Sequence, residues 1–326
     1  MKNGAKLSIC IPTLNRVDLL TQLVSELILQ IKNIDAEICI SNNQSNDGTE
    51  EYLNYISKKY PKIIRVVTQK HFLSIDENML AAIEMATGKY IYPLGDDDLL
   101  VKGGLEVILK EVSLGFDFLL LKYQYVDDRL NVIDSLNRPG KINCENKPLP
   151  DLFNLIWDKM PFGSFIFSKK MFKKKSYLRY LGTSHAYGGF IWDSLASNSL
   201  QKKNIVTKCL GGNYVVLLRE TVKTWKADEI KIKFHEAPAW LDLISDNEIL
   251  REVSYGCKQK YINSQSKLTN LINVYMSHEN LTNNEIYYIY KFSHNARRNL
   301  KLLQILPRVL IVIIHNLLKV LRKKWL

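Results

Sequence analysis

Three consecutive carboxylates, Asp96, Asp97 and Asp98, follow the apolar run Tyr90-Ile-Tyr-Pro-Leu94 after a single glycine, Gly95. Adjacent carboxylates repel one another unless a cation neutralises them. Hard oxygen donors select Mg²⁺ or Mn²⁺, ions that also keep waters and substrate phosphate oxygens as ligands. The competing reading is a solvated acidic turn ahead of a helix that begins near Gly103. Two other polar segments stand at equivalent places. Pro12-Thr-Leu-Asn-Arg16 closes an apolar run over residues 7–11, and Ser41-Asn-Asn-Gln-Ser-Asn-Asp-Gly48 follows another over residues 36–40.

The elements that would position these segments alternate. Strands are predicted over residues 7–11, 36–40, 63–67 and 90–94. Asn15 can cap a helix whose apolar residues Leu19, Leu20, Leu23, Leu27 and Ile31 recur at helical spacing. A second helix runs through Tyr52 and Ile56, and a third spans residues 75–86 and ends at Gly88. Strands separated by helices of this length predict a parallel sheet with right-handed crossovers. Ligands of such sheets sit at the carboxyl ends of the strands, where all three polar segments fall. Beyond residue 115 the pattern loosens: a strand over 116–123, a polar connection over 133–150, helices at 152–157 and 190–200, and a strand over 213–218. After residue 228 the signals are almost wholly helical.

Taken in order, three motifs resemble glycosyltransferase family 2: Leu7-Ser-Ile-Cys-Ile-Pro-Thr-Leu-Asn-Arg16, Ile40-Ser-Asn-Asn-Gln-Ser-Asn-Asp-Gly-Thr49 and Gly88-Lys-Tyr-Ile-Tyr-Pro-Leu-Gly-Asp-Asp-Asp98. The resemblance covers roughly residues 5–110. It implies an α/β fold of the GT-A type: a Rossmann-like, mostly parallel sheet flanked by helices, here with a helical C-terminal extension. It further implies a nucleotide-diphosphate sugar donor, a divalent cation (Mn²⁺ or Mg²⁺) and inversion at the anomeric carbon. By position, Pro12, Thr13, Asn15, Arg16, Asn42, Asn78, Asp96 and Asp97 would contact the nucleotide sugar, and Asp97 or Asp98 would hold the metal. Asn42 stands where the family has an acid that reads the base edge. Gly95-Asp-Asp-Asp98 replaces the family's D-S-D-D, so register leaves open which carboxylate takes the metal. Phe72-Leu-Ser74 replaces an N-L-G segment. Within the family the resemblance is to enzymes of O-antigen, capsule and similar surface glycans.

An alcohol acceptor is a poor nucleophile until a base takes its proton. Family members place that carboxylate about 90 to 100 residues after the metal motif, and Asp193 in Gly188-Gly-Phe-Ile-Trp-Asp-Ser194 matches; the plain alternative is a helix-start acid. His185 and Tyr187 are neighbours with structural or acceptor-contacting roles. Arg219, Trp225 and His235 are candidates for a flap over the diphosphate, with His235 also a metal-ligand candidate or simply a packed residue. The cluster Lys169, Lys170, Lys173, Lys174 and Lys175 reads as a solvated face.

The net charge of +12 and a sequence pI of about 9.3 call for an anionic partner. Residues 291–326 carry Lys291, Arg297, Arg298, Lys301, Arg308, Lys319, Arg322, Lys323 and Lys324 and no acid. There Leu310, Ile314, Leu317, Leu321 and Trp325 form one stripe, with Arg308, His315, Lys319 and Arg322 opposite. A basic amphipathic helix of this kind lies on a membrane surface; the alternative is a helix packed on its own domain. The expected organisation is a catalytic domain over 1–227 (nucleotide sugar to about 115, acceptor beyond) and a helical region over 228–326 with a membrane-associating tail from about 306. Five scattered cysteines, with Cys10 and Cys39 as core thiols, indicate a reducing, cytoplasmic setting on the inner face of the membrane. The expected activity is inverting sugar transfer, from a UDP sugar ahead of a CDP or dTDP sugar, to a lipid-linked or oligosaccharide acceptor. A nucleic-acid partner is not expected, since no helix-turn-helix, zinc or RNP-like pattern is present. The rival readings are a noncatalytic relative with a decayed site, and a sugar nucleotidyltransferase, which should carry a Gly-rich, Arg-containing loop after its first strand.

Overall fold

The computed structural model describes residues 6–31, 35–133, 142–145, 147–201, 204–220, 228–278, 281–307 and 310–316. The chain divides into two compact units. The first comprises Met1–Gly182 and Ala186–Lys223, and the second Thr183–His185 and Thr224–Leu326.

Among the described residues the first unit carries ten strands: β1 (Leu7–Thr13), β2 (Ala36–Asn42), β3 (Ile64–Thr68), β4 (Tyr90–Pro93), β5 (Leu99–Leu100), β6 (Phe118–Leu120), β7 (Tyr123–Val126), β8 (Phe165–Ser168), β9 (Thr207–Cys209) and β10 (Val216–Arg219). Its helices are α1 (Val17–Ile31), α2 (Thr49–Lys59), α3 (Ile75–Glu84), α4 (Gly104–Leu114), α5 (Leu149–Ile156), α6 (Lys174–Leu178) and α7 (Ala186–Leu200). The main sheet runs β3-β2-β1-β4-β8-β6-β9, and β5-β10-β7 form a second, small sheet. β1, β2, β3 and β4 are mutually parallel. β1 and β2 are buried along their whole length, as strands covered on both faces must be, so they read as continuous apolar runs. α1 packs Leu20, Leu23, Val24, Leu27, Ile28 and Ile31 inward, each side chain worth about 1.5–3 kcal/mol of burial.

Three features depart from the sequence reading. β8 enters the middle of the sheet antiparallel to both β4 and β6. The single strand expected over 116–123 is two strands in different sheets, because the chain turns at Leu121, whose N–H bonds the Ser164 carbonyl. And α1 is not capped by Asn15. The Val17 N–H goes to Asp47 Oδ2, while Asn15, at a left-handed φ of 52°, accepts from the Asn46 N–H.

Gly88 of the third motif has a packing reason. A Cβ there would meet Ser8 Oγ at 2.7 Å, and the Gly88 N–H donates to that hydroxyl. Ser8 and Thr87 donate in turn to the buried Glu37, which also pairs with Arg65 at 2.9 Å.

Cys10, Cys39 and Cys257 are buried free thiols, whereas Cys144 and Cys209 are joined as a disulfide with Cα atoms 5.4 Å apart. No spacing signal marks that pair. It forms because β9 pairs with β6 and brings Cys209 back to the loop at Cys144, within the span a disulfide bridges.

The second unit is helical: α8 (Glu229–Lys231) continues through a π-helical segment, Ile232–Glu236, into α9 (Ala237–Ser245), followed by α10 (Arg251–Gln265), α11 (Leu268–Ser277), α12 (Asn283–Phe292) and α13 (His294–Ile305). Its core holds Ile230, Phe234, Leu271, Ile289, Leu300 and Ile311 among others. The chain after α13 differs from the expected stripe. Ile311 is fully buried and Ile314 packs on this core, while Leu310, Val312 and Ile313 are exposed. Leu317, Leu321 and Trp325 lie outside the described residues. Among the described residues no single helix is long and apolar enough to cross a membrane.

Candidate active site at the carboxyl ends of β1, β2 and β4

Parallel β1 and β4 bring Thr13-Leu-Asn-Arg16 and Gly95-Asp-Asp-Asp98 to the same end of the sheet. Thr13 Oγ1 donates to Asp96 Oδ2 at 2.8 Å. Arg16 NH1 lies 2.8 Å from both Asp96 Oδ1 and Asp97 Oδ2. Two carboxylates from successive residues therefore converge on one cationic nitrogen, with the Arg16 side chain only 13% exposed.

The electrostatics follow. Burial pushes the Asp96 carboxyl up to about 6, with Arg16 pulling it down and Asp97 adding to the rise. Burial works against the Arg16 charge, but Asp96 and Asp97 outweigh it and hold the guanidinium above its ordinary value.

Asp98 faces elsewhere. Its Oδ1 accepts the Arg219 N–H of β10 at 3.2 Å. Its Oδ2 lies 2.7 Å from where a Cβ would stand on Gly163, at φ +86°, and equally close to that point on Gly95. Side chains at either glycine would expel the carboxylate. Burial, then the Asp97 charge, push its carboxyl well above the ordinary value. The Arg219 guanidinium is buried and donates from NH2 to Gln22 Oε1 at 2.7 Å, while its Nε–H has no protein partner. Arg219 thus belongs to the strand frame of this corner. Trp225 lies outside the described residues.

The second polar loop is braced by amides. Asn78 Oδ1 accepts from Ser41 Oγ at 2.7 Å, and Asn78 Nδ2 donates to the Thr13 carbonyl at 3.4 Å, joining α3 to the ends of β1 and β2. Asn42 is buried; Nδ2 donates to Thr68 Oγ1 and Oδ1 accepts from the Ser45 N–H. Asn43 makes a two-way pair with the Leu73 backbone, which holds the Phe72-Leu-Ser74 segment. Pro12 is buried within β1.

Asp193 stands in the second turn of α7. Its Oδ2 accepts from Ser176 Oγ at 3.1 Å and pairs with Arg179 at 3.4 Å, while Oδ1 is buried without a partner. Gly189 ahead of it serves packing: a Cβ there would fall 2.3 Å from the Tyr180 ring, so α7 approaches the turn after α6 at this point only as glycine. In the second unit, the His235 ring stacks on Tyr288 with centroids 5.1 Å apart, and His185 Nδ1 lies 2.8 Å from the Thr183 carbonyl, its pKa lowered by burial. Tyr187 packs on Phe165 in the first unit. The lysine cluster serves local structure: Lys169 donates to the Ala86 carbonyl, and Lys170 and Lys174 pair with Asp117 and Glu84.

Sequence reasoning passed over two residues. Asp76 is buried and accepts from the N–H groups of Gly182 and Ala186, so it caps α7 at its start. A carboxylate is favoured at that end of a helix, but its partners lie more than a hundred residues away. Gly163 was invisible because a lone glycine before an apolar run reads only as a turn.

Among the described residues no three His, Cys, Asp or Glu side chains are placed to hold a metal ion. The donor chemistry nonetheless fits a hard divalent cation. A cationic nitrogen already stands between two carboxylate oxygens, and Mg²⁺-like ions take one or two carboxylates plus water and phosphate oxygens.

The comparisons agree with this geometry. The family model of glycosyl transferase family 2 matches residues 8–181, just over half of the chain. An abequosyltransferase of Salmonella typhimurium is 40% identical over 103 residues, 31% of each chain. A GalNAc(5)-diNAcBac-PP-undecaprenol beta-1,3-glucosyltransferase of Campylobacter jejuni is 28% identical over 111 residues, 34% of this chain and 36% of that one. The chain thus spans about a third of the length of these relatives. Among solved structures, S. aureus TarS 1–349 in complex with UDP-GlcNAc superposes with a TM-score of 0.60 at 12% identity, covering 89% of this chain and 81% of that one. At that identity the likeness speaks for the fold, a GT-A-like sheet flanked by helices. Motifs, sheet order and family match converge: the chain belongs to glycosyl transferase family 2.

Proposed function

We propose that the protein transfers a sugar, with inversion, from a nucleotide-diphosphate donor to a lipid-linked or oligosaccharide acceptor in the assembly of a bacterial surface polysaccharide. The observation that carries this reading is the convergence of Asp96 and Asp97 on one cationic nitrogen at the end of β4, beside Thr13 of β1. A diphosphate needs a divalent ion to offset its charge, and this pair supplies the protein's share of that ion's ligands. The unpartnered Nε–H of Arg219 is a second donor suited to an anion at the same corner.

In this reading Asp97 and Asp96 would hold Mn²⁺ or Mg²⁺, Asp98 fixes their loop to β10, and Asp193 takes the acceptor proton. UDP sugars are the first donors to try. Relatives named for an abequosyl donor and for an undecaprenol-linked acceptor favour surface glycan chemistry and a lipid carrier. Attachment to the cytoplasmic face of the inner membrane is part of the proposal, through the acid-free, basic C-terminal segment and the exposed Ile305, Leu310, Val312 and Ile313.

A thermal-shift screen of nucleotide sugars with Mn²⁺ tests the assignment, because a ligand that binds only the native state raises the melting temperature. One donor class should shift the wild type and not Asp97→Asn, whose amide is a poor ligand for a hard cation. An unshifted wild type across all donors, or full transfer in EDTA, would overturn it.

A further inference from the structure

Arg16 NH1 stands between the two carboxylate oxygens that a divalent cation would bridge, 2.8 Å from Asp96 Oδ1 and 2.8 Å from Asp97 Oδ2. A guanidinium and a metal ion cannot both stand between these two oxygens. Arg16 is also the last residue before α1, on the short turn after β1. Its long side chain can therefore leave the carboxylates without any strand moving. An arginine fork is as well matched to phosphate oxygens as to carboxylates.

We infer that Arg16 is a built-in counter-cation that exchanges with the divalent ion. In one state, the one described above, Arg16 neutralises Asp96 and Asp97. In the other the metal takes the carboxylates and Arg16 turns to the donor diphosphate. This inference rests on the proposed nucleotide-sugar reading and adds to it. Arg16 makes metal and donor bind as a pair: metal alone must displace a bound cation, whereas metal with diphosphate offers that cation a new partner. Such a site resists filling by free metal, and it commits to the ion only with substrate.

The consequences separate from those of an ordinary structural ion pair. Removing one partner of a buried pair leaves the carboxylates uncompensated and destabilises the fold. If Arg16 merely braces the loop, added metal does not repair that loss. If it stands in for the metal, Mn²⁺ does.

The test uses the full chain as wild type, Arg16→Gln and Arg16→Lys. Melting temperature is measured in EDTA and in Mn²⁺, and Mn²⁺ affinity by electron paramagnetic resonance with and without UDP. Arg16→Gln should melt lower than wild type in EDTA and recover most of the difference in Mn²⁺. It should bind Mn²⁺ alone at least ~10-fold tighter than wild type, since an opposing charge at this range shifts such equilibria by about one to three powers of ten. UDP should tighten Mn²⁺ binding in wild type and far less in Arg16→Gln, with Arg16→Lys between. If Arg16→Gln folds only when Mn²⁺ is present, that too supports the exchange. Unchanged or weaker Mn²⁺ affinity in Arg16→Gln, or a stability loss that Mn²⁺ does not repair, overturns it. If neither Mn²⁺ nor any of UDP, CDP and dTDP binds any of the three proteins, the nucleotide-sugar reading falls as well. UDP binding that persists with no exchange signature removes only the role of Arg16.

Discussion

The cradle around Asp98 makes a quantitative demand on Gly163. This residue sits at φ +86°, where an L side chain costs about 1–2 kcal/mol in backbone strain alone. An alanine Cβ would also stand 2.7 Å from Asp98 Oδ2 and 3.0 Å from Leu218 Cδ2. Neither neighbour is free to give: Asp98 is bonded to the Arg219 N–H, and Leu218 is buried in β10. Displacing the carboxylate forfeits a buried hydrogen bond worth roughly 1–3 kcal/mol. Gly163→Ala should therefore cost about 2–5 kcal/mol. Gly48 provides the control. It has φ +93° and no atom within 4 Å of its Cβ position, so Gly48→Ala should cost only the strain, about 1–2 kcal/mol. Urea denaturation at equal m-values measures both. Gly163→Ala should in addition weaken Mn²⁺–UDP binding, since Asp97 and Asp98 are consecutive, whereas Gly48→Ala should not. Equal costs for the two variants would show that Asp98 is not wedged between Gly95 and Gly163, and would refute the reasoning.

Four further outcomes are expected. Asp193→Asn should lower turnover by about two to four orders of magnitude with donor affinity nearly unchanged; collapse of donor binding with turnover intact would point to another acid. Because burial raises the Asp96 carboxyl to about 6, above its unfolded value, its contribution to stability is fully present below the unfolded pKa and is lost as pH rises through about 6. Metal binding needs the ionised form, so Mn²⁺ affinity should be full above about 6 and fall by up to roughly tenfold per unit below it; a flat titration from pH 5 to 7.5 would contradict this. Alkylation of the oxidised, denatured protein should label Cys10, Cys39 and Cys257 and spare Cys144 and Cys209 unless reductant is added; five labelled thiols without reductant would exclude the bridge. Removing residues 317–326 keeps Ile311 and Ile314 on the helical core but takes away Lys319, Arg322, Lys323 and Lys324, so the shortened chain should hold anionic vesicles more weakly than the full one; undiminished vesicle binding would show that these cations do not make the contact.

Legibility in the sequence followed the range of the interactions. The strands β1, β2 and β4, the helices between them and the polar segments at their ends were readable because each rests on local signals: a continuous apolar run, helical spacing, a turn. Those signals also carried the family resemblance and the choice of Thr13, Arg16 and the three aspartates as one site. The division of labour among the aspartates was not readable. Asp96 and Asp97 meet Arg16, while Asp98 meets β10, some 120 residues on, through a gap that two separate glycines leave open. The same holds for Asp76 as the cap of α7, for β8 entering the sheet antiparallel, and for the Cys144–Cys209 bridge. Each depends on which distant segment arrives beside it, and only the packing of the folded chain decides that.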